Sequence, residues 1–303
     1  MEKALALIKT LRLKRWYINL LVIAGSTLAV LVENINTVNV ELALRVFTVT
    51  IGVCLLSSAH YAINEVLDAK TDANHPEKKN RVIPRGIVSK TAVVIMALGL
   101  YVIVALGLIM IGNGYLVVIF AALAVAAFLY NVPPFRLKDI PYVDFILEAI
   151  NNPLRLAIGW YAVTSRPLPA SLFIALWAFT AFLMSAKRFT ELRFIANKDA
   201  ATLYRKSFAS YTEEKLMLAM FASSCAFMFT FGVLTIRYEK NLLLAFPLYV
   251  LFMVWLLSIT HQKKSFIGNP EHIFSNKLFL LFLFSLLIFS IMLSTLPITL
   301  INV

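Results

Sequence analysis

The feature that most restricts this chain is the recurrence of long, unbroken apolar stretches. About 20 residues of helix cross a hydrocarbon core, and nine stretches of roughly that kind follow one another, approximately Trp16 to Leu31, Val46 to Ile63, Thr91 to Ile111, Tyr115 to Leu129, Tyr142 to Val163, Ala170 to Ala186, Leu216 to Ile236, Leu242 to Thr260 and Leu278 to Leu296. They are continuous rather than alternating, which excludes the period-two pattern of a membrane barrel. With 60% hydrophobic and only 15% charged residues over 303 positions, the bilayer is the natural solvent. The expected fold is an all-α polytopic membrane protein of nine transmembrane helices, one catalytic domain spanning 1–303.

A net charge of +12 raises the question of nucleic acid, and the placement of the cations answers it. Of 28 Lys and Arg residues, 23 fall in the N-terminal segment and in the connections after the even-numbered stretches. That one-sided distribution is the positive-inside signature, predicting a cytoplasmic N-terminus in the cell (inner) membrane and no nucleic-acid partner. Residues 1–15, with Lys3, Lys9, Arg12, Lys14 and Arg15, read as an interfacial amphipathic segment rather than a cleavable leader. Cys54 and Cys225 lie inside apolar stretches and read as small hydrophobes. The four histidines have no metal-site spacing.

Two connections are long and polar, 64–90 and 187–215, and both are expected to be cytoplasmic active-site loops. In the first, Asn64, Asp68 and Asp72 stand at i, i+4 and i+8 and share one face of a helix. Acidic groups beside a membrane core are costly and usually have a task. A few oxygen ligands of this kind suit Mg²⁺, which completes its shell with phosphate oxygens of a substrate. The plainer reading is a solvated helix end. Downstream, Lys78, Arg81 and Arg85 suit a pyrophosphate leaving group, or simply mark the inside of the membrane.

The run Asn64-x-x-x-Asp68-x-x-x-Asp72, followed by Arg81-x-x-Pro84-x-Gly86, resembles the first aspartate-rich motif of the UbiA-type intramembrane prenyltransferase superfamily, and Tyr130 to Lys138 resembles its Tyr-to-Lys stretch after helix 4. Glu65 stands where that motif has Asp, which leaves its metal role open. The resemblance implies nine helices and bound Mg²⁺, and the one-sided cations place the site toward the cytoplasm. Its second aspartate-rich motif is replaced here by Lys187-Arg188-x-x-Glu191-Leu192, Arg205-Lys206-Ser207 and Ser210-Tyr211-Thr212. Those segments, with Arg155, Gly159 and Gly268 to Glu271, resemble the subgroup that makes decaprenylphosphoryl-5-phosphoribose for mycobacterial wall arabinan.

The subgroup implies transfer of 5-phosphoribose from phosphoribosyl pyrophosphate to a polyprenyl phosphate. In that frame Asp68, Asp72, Lys187 and Glu191 are the expected catalytic residues, and Asn64, Asp68 and Asp72 the metal ligands. Lys78, Arg81, Arg85, Tyr130, Lys138, Arg155, Arg188, Arg205 and Tyr211 are the expected substrate contacts. Arg155, a cation within an apolar stretch, is costly unless paired or facing a cavity. It reads either as a phosphate contact or as a partner of Asp144 or Glu148, and Lys138 is a second partner for those carboxylates. Two other functions compete: attachment of an isoprenyl chain to an aromatic or lipophilic acceptor, which a second Mg²⁺ site would favour, and transport, which predicts polar groups at the bilayer midplane. The sequence leaves an oligomer open.

Overall fold

The structure, a computed structural model, describes residues 2–72, 80–195, 201–203, 205–262 and 276–296. Every described element is helical: α1 (Glu2–Thr10), a 3₁₀ stretch (Leu13–Leu20), α2 (Leu21–Val32), α3 (Val40–Asp72), α4 (Lys90–Ile111), α5 (Gly114–Asn131), α6 (Val143–Ala149), α7 (Asn151–Val163), α8 (Ala170–Phe194), α9 (Glu213–Tyr238), α10 (Phe246–Thr260) and α11 (Lys277–Thr295). Eight helical runs among the described residues are long and apolar enough to cross a membrane. The chain is therefore a multi-pass all-α membrane protein.

The fifth apolar stretch departs from expectation. Tyr142 to Val163 is two short helices, α6 and α7, and neither is counted among the eight long runs. The cause is local: Pro153 has no N–H to continue a helix, and its ring would meet the carbonyl of Ala149, where α6 ends. Proline is tolerated in the first turn, where Asn151 and Asn152 open α7. Other boundaries follow ordinary caps. The side chains of Ser89, Asn113, Thr212 and Asn276 accept backbone N–H groups at the starts of α4, α5, α9 and α11, and Gly112 ends α4 at a φ of 66°.

The chain divides into two compact units: Met1–Lys138 with Asn151–Leu168, and Asp139–Ile150 with Pro169–Val303. In the first, α2 and α7 meet with their backbones in contact. A Cβ on Gly25 would lie 2.0 Å from the Leu156 carbonyl oxygen, and one on Gly159 1.8 Å from that of Val22. Ser26 Oγ, on the same seam, donates to the Gly159 carbonyl at 3.0 Å. Small residues at such a crossing are what membrane helices use where no aqueous hydrophobic drive exists between them. In the second unit, Phe145 of α6, Phe182 and Phe189 of α8, Phe208, Met220 of α9 and Leu256 of α10 form one buried aromatic and aliphatic core.

The two polar connections are more helical than expected. α3 continues without a break to Asp72, and α8 to Phe194, so Asn64, Asp68, Asp72, Lys187, Arg188 and Glu191 all stand on helices. Lys78 and the segment Gly268 to Glu271 lie outside the described residues.

Candidate active site

In the first unit, the last three turns of α3 carry the acidic face. Lys138, on a 3₁₀ turn after α5, reaches back to it: its Nζ donates to Asn64 Oδ1 at 2.9 Å, to both Asp68 carboxylate oxygens at 2.8 Å, and to Asn131 Oδ1 at 3.3 Å. Four oxygens thus converge on one cation, whose side chain is buried. Arg136, held at a φ of 37°, adds a second cation on Asp68 at 2.9 Å. Asp72 is buried and ion-paired to Arg81. Arg85, by contrast, is exposed, and Tyr130 is half-buried one residue before Asn131.

Glu65 belongs to a different arrangement. One residue along a helix turns the side chain about 100° away from Asn64, and the buried Glu65 carboxylate lies 3.7 Å from Arg12. Its Oε1 has no hydrogen-bond partner among the described residues. The oxygen-lined point is therefore built by Asn64 and Asp68, with Asp72 one turn further along.

The donor set fits Mg²⁺ in kind: hard oxygens, one or two carboxylates, and a location on a helix end where a ligand's phosphates can complete the shell. The Lys138 ammonium already marks the point where these oxygens focus on positive charge.

The second unit holds a second cluster, which the sequence only partly indicated. Arg188 is fully buried, and each of its nitrogens meets a carboxylate: Nε to Asp144 Oδ2 at 3.0 Å, Nη1 to Glu191 Oε2 at 3.2 Å, and Nη2 to Glu148. Asp144, fully buried on the first turn of α6, also accepts from Ser207 Oγ at 3.2 Å, Arg205 Nη1 at 3.4 Å and the Tyr211 hydroxyl. The i, i+4 spacing of Asp144 and Glu148 on α6 aims both at α8. The partner they share in this unit is thus Arg188, rather than the Arg155 or Lys138 suggested by their sequence neighbourhood.

Tyr211 ties the cluster to the backbone. Its oxygen accepts the N–H of Tyr142 at 2.6 Å, while its O–H goes to Asp144. Tyr142 has a φ of 66°, a strained value for a tyrosine, at the residue that caps α6. Burial, and then the Asp144 charge, push the phenol far above its ordinary pKa, so it remains a donor. Lys187 is half-buried beside Glu191, and no ion pair is found for it among the described residues.

Arg155 lies in the first unit. It is 9% exposed and donates from Nε to Asn19 Oδ1 at 2.8 Å and from Nη1 to Asn152 Oδ1 at 2.9 Å. Sequence reading did not find these two asparagines, nor Arg136 and Asn131. Arg136 and Asn131 lie inside the Tyr130 to Lys138 stretch, but nothing in Asn19 itself points to Arg155, 136 residues away.

Among solved structures, the chain is similar to a UbiA homolog from Archaeoglobus fulgidus bound to GPP and Mg²⁺, with a TM-score of 0.70 and 14% identity over 96% of this chain and 100% of that one. It is also similar to a digeranylgeranylglyceryl phosphate synthase, with a TM-score of 0.65 and 15% identity over 98% of this chain and 100% of that one. In sequence it is 29% identical to the decaprenyl-phosphate phosphoribosyltransferase of Mycolicibacterium smegmatis over 75% of this chain and 69% of the relative. The enzyme of that name from Corynebacterium glutamicum is 28% identical over 82% of this chain and 72% of the relative. The family model described as the UbiA prenyltransferase family matches residues 19–286, so the chain belongs to that family of membrane-embedded transferases.

Proposed function

We propose that this enzyme transfers 5-phosphoribose from phosphoribosyl pyrophosphate to a polyprenyl phosphate and releases pyrophosphate. The acceptor's phosphate oxygen attacks C1 of the ribose and forms the new C1–O bond, while the C1–O bond to pyrophosphate breaks and its electron pair leaves with that group. No proton is transferred in the step. Asn64, Asp68 and Asp72 would hold Mg²⁺, which when bound neutralises charge on the pyrophosphate. Arg81, Arg136 and Lys138 bring three cations to the same face. The site faces the cytoplasm of the inner membrane, in keeping with the one-sided cations.

The single observation that carries this reading is the saturation of the second cluster. Asp144, Glu148 and Glu191 are all spent on the guanidinium of Arg188, which gathers them as a divalent ion would. Arg188 is enclosed at the centre of those carboxylates, whereas Arg81 and Arg136, the cations on Asp72 and Asp68, keep about a quarter of their side chains exposed and can turn from carboxylate to phosphate when a metal takes their place. That favours a donor with one pyrophosphate on metal and a further phosphate met by protein cations rather than by a second metal. Arg188 positions Glu191 and Asp144 and takes no phosphate itself. The names of the relatives from Mycolicibacterium smegmatis and Corynebacterium glutamicum support a phosphoribosyl group as what is transferred and a polyprenyl phosphate as the acceptor.

The test is pyrophosphate release by purified enzyme with Mg²⁺ and phosphoribosyl pyrophosphate, with and without a polyprenyl phosphate, beside Asp68→Asn. Acceptor-dependent release lost in the variant is the expected result. Turnover only with an isoprenyl diphosphate and an aromatic acceptor would overturn it.

A further inference from the structure

We infer that Arg155 is the seat of the acceptor's phosphate, a binding site for a phosphomonoester carried on an isoprenoid lipid. The inference rests on the phosphoribosyl reading above and assigns one of its two substrates to a place within the first unit.

The argument begins with charge. Arg155 is nine-tenths buried in α7, between the buried Leu154 and Leu156, yet both groups it donates to are neutral amides. Among the described residues it has no carboxylate partner, and no hydrogen bond is found for Nη2. A buried guanidinium without a counter-charge is costly, and the cost is relieved when an anion arrives.

The two amides aim the group without neutralising it. Asn19 Oδ1, which takes the Nε hydrogen, also accepts from Ser57 Oγ at 3.4 Å, and Asn19 Nδ2 donates to Cys54 Sγ at 3.3 Å. The guanidinium is thereby fixed through Asn19 against α3 at the level of Cys54 and Ser57, with Tyr61 as a further neighbour. Fixing Nε and one Nη1 hydrogen leaves the Nη2 end of the fork to a ligand.

Position selects the ligand. Ser57 and Asn64 are seven residues apart on α3, almost two full turns, so they share a face about 10 Å apart along the axis. Arg155 thus sits on the inward continuation of the face that carries Asn64, Asp68 and Asp72. A water-soluble donor has its phosphates served at the outer end by Lys138, Arg136 and Arg81. An anion that must reach two turns deeper, among apolar helices, suits a phosphate that arrives on a hydrocarbon chain. Inorganic phosphate shares the chemistry but lacks the chain.

The test measures binding by native mass spectrometry in detergent, with EDTA and without donor. The probes are decaprenyl phosphate, decaprenol, inorganic phosphate and, in a separate Mg²⁺ arm, phosphoribosyl pyrophosphate. Wild type is expected to prefer decaprenyl phosphate over decaprenol by about tenfold or more, the worth of a charge-assisted pair. Arg155→Met should erase that preference, while phosphoribosyl pyrophosphate binding stays within about twofold. Arg155→Lys, which keeps the charge and loses the fork, should give an intermediate preference and covers the case in which the methionine variant fails to fold. A preference retained in both variants overturns the inference. So does a loss confined to phosphoribosyl pyrophosphate, and so does inorganic phosphate matching the lipid. A wild type that shows the Arg155-dependent preference but releases no pyrophosphate leaves this site standing and removes the donor assignment instead.

Discussion

The ammonium of Lys138 lies 2.8 Å from both carboxylate oxygens of Asp68, a residue 70 positions earlier in the chain. With Arg136 and Arg81, Lys138 sets the charge of the acidic face before any substrate arrives, and it also reaches Asn64. Lys138→Met should therefore lower kcat/KM by about a hundredfold, the usual loss on removing a preorganised charge at a reacting centre. Lys138→Arg should recover part of it. Unchanged pyrophosphate release in the methionine variant would remove Lys138 from the site.

Glu65 is next to a metal-ligand candidate in sequence but turned toward Arg12 in space. Glu65→Gln should keep the Mg²⁺ concentration for half-maximal activity within about twofold, since its carboxylate stands apart from the oxygens around Asp68. Its effect should appear as a lower melting temperature, because Arg12 loses its buried counter-charge. A large shift in Mg²⁺ dependence would place Glu65 among the ligands after all.

Arg188 offers the opposite case, a residue expected to touch substrate that the fold encloses. Arg188→Met leaves Glu148 and Glu191 without their shared partner, at a cost of about 3–5 kcal/mol. Thermal unfolding followed by circular dichroism should register it as a drop of about 10 °C. A variant as stable as wild type, with only weakened phosphoribosyl pyrophosphate binding, would restore a direct phosphate contact.

The α2 and α7 crossing makes a prediction about packing alone. Gly159→Ala drives a methyl group into the Val22 carbonyl oxygen, and a backbone atom cannot rotate aside. The expected loss is about 3 kcal/mol. Gly99→Ala in α4, where a Cβ meets nothing within 4 Å, should be neutral or stabilising because alanine is the better helix former. Equal melting temperatures for the two variants would contradict the close approach.

The acidic face was legible because i, i+4, i+8 spacing is a property of any helix, and Asn64, Asp68 and Asp72 needed only that α3 continue to Asp72. The helical fold was legible from the length of the apolar stretches. The break in the fifth stretch was missed because hydropathy averages over Pro153, although Asn-Asn-Pro is a helix-start signal in its own right. What a single sequence does not hold is the pairing of distant polar groups. The meetings of Lys138 with Asp68, Arg188 with Asp144, and Arg155 with Asn19 depend on which helices lie side by side, and spacing along the chain carries no trace of that.

The uninterrupted α3 has one more implication. Thirty-three residues make a rod of about 50 Å, against a hydrocarbon layer of about 30 Å, so α3 is longer than the layer and Asp72 stands at the tip of a beam whose shaft is packed among its neighbours. The height of the acidic face above the acyl chains is then set by a rigid helix and by bilayer thickness together, not by a loop. In a thicker membrane the beam sinks or tilts and the face nears the hydrocarbon; in a thinner one it is lifted into water. The acyl composition of the host membrane thus acts as a gauge on how far from the hydrocarbon the tip of α3 is held.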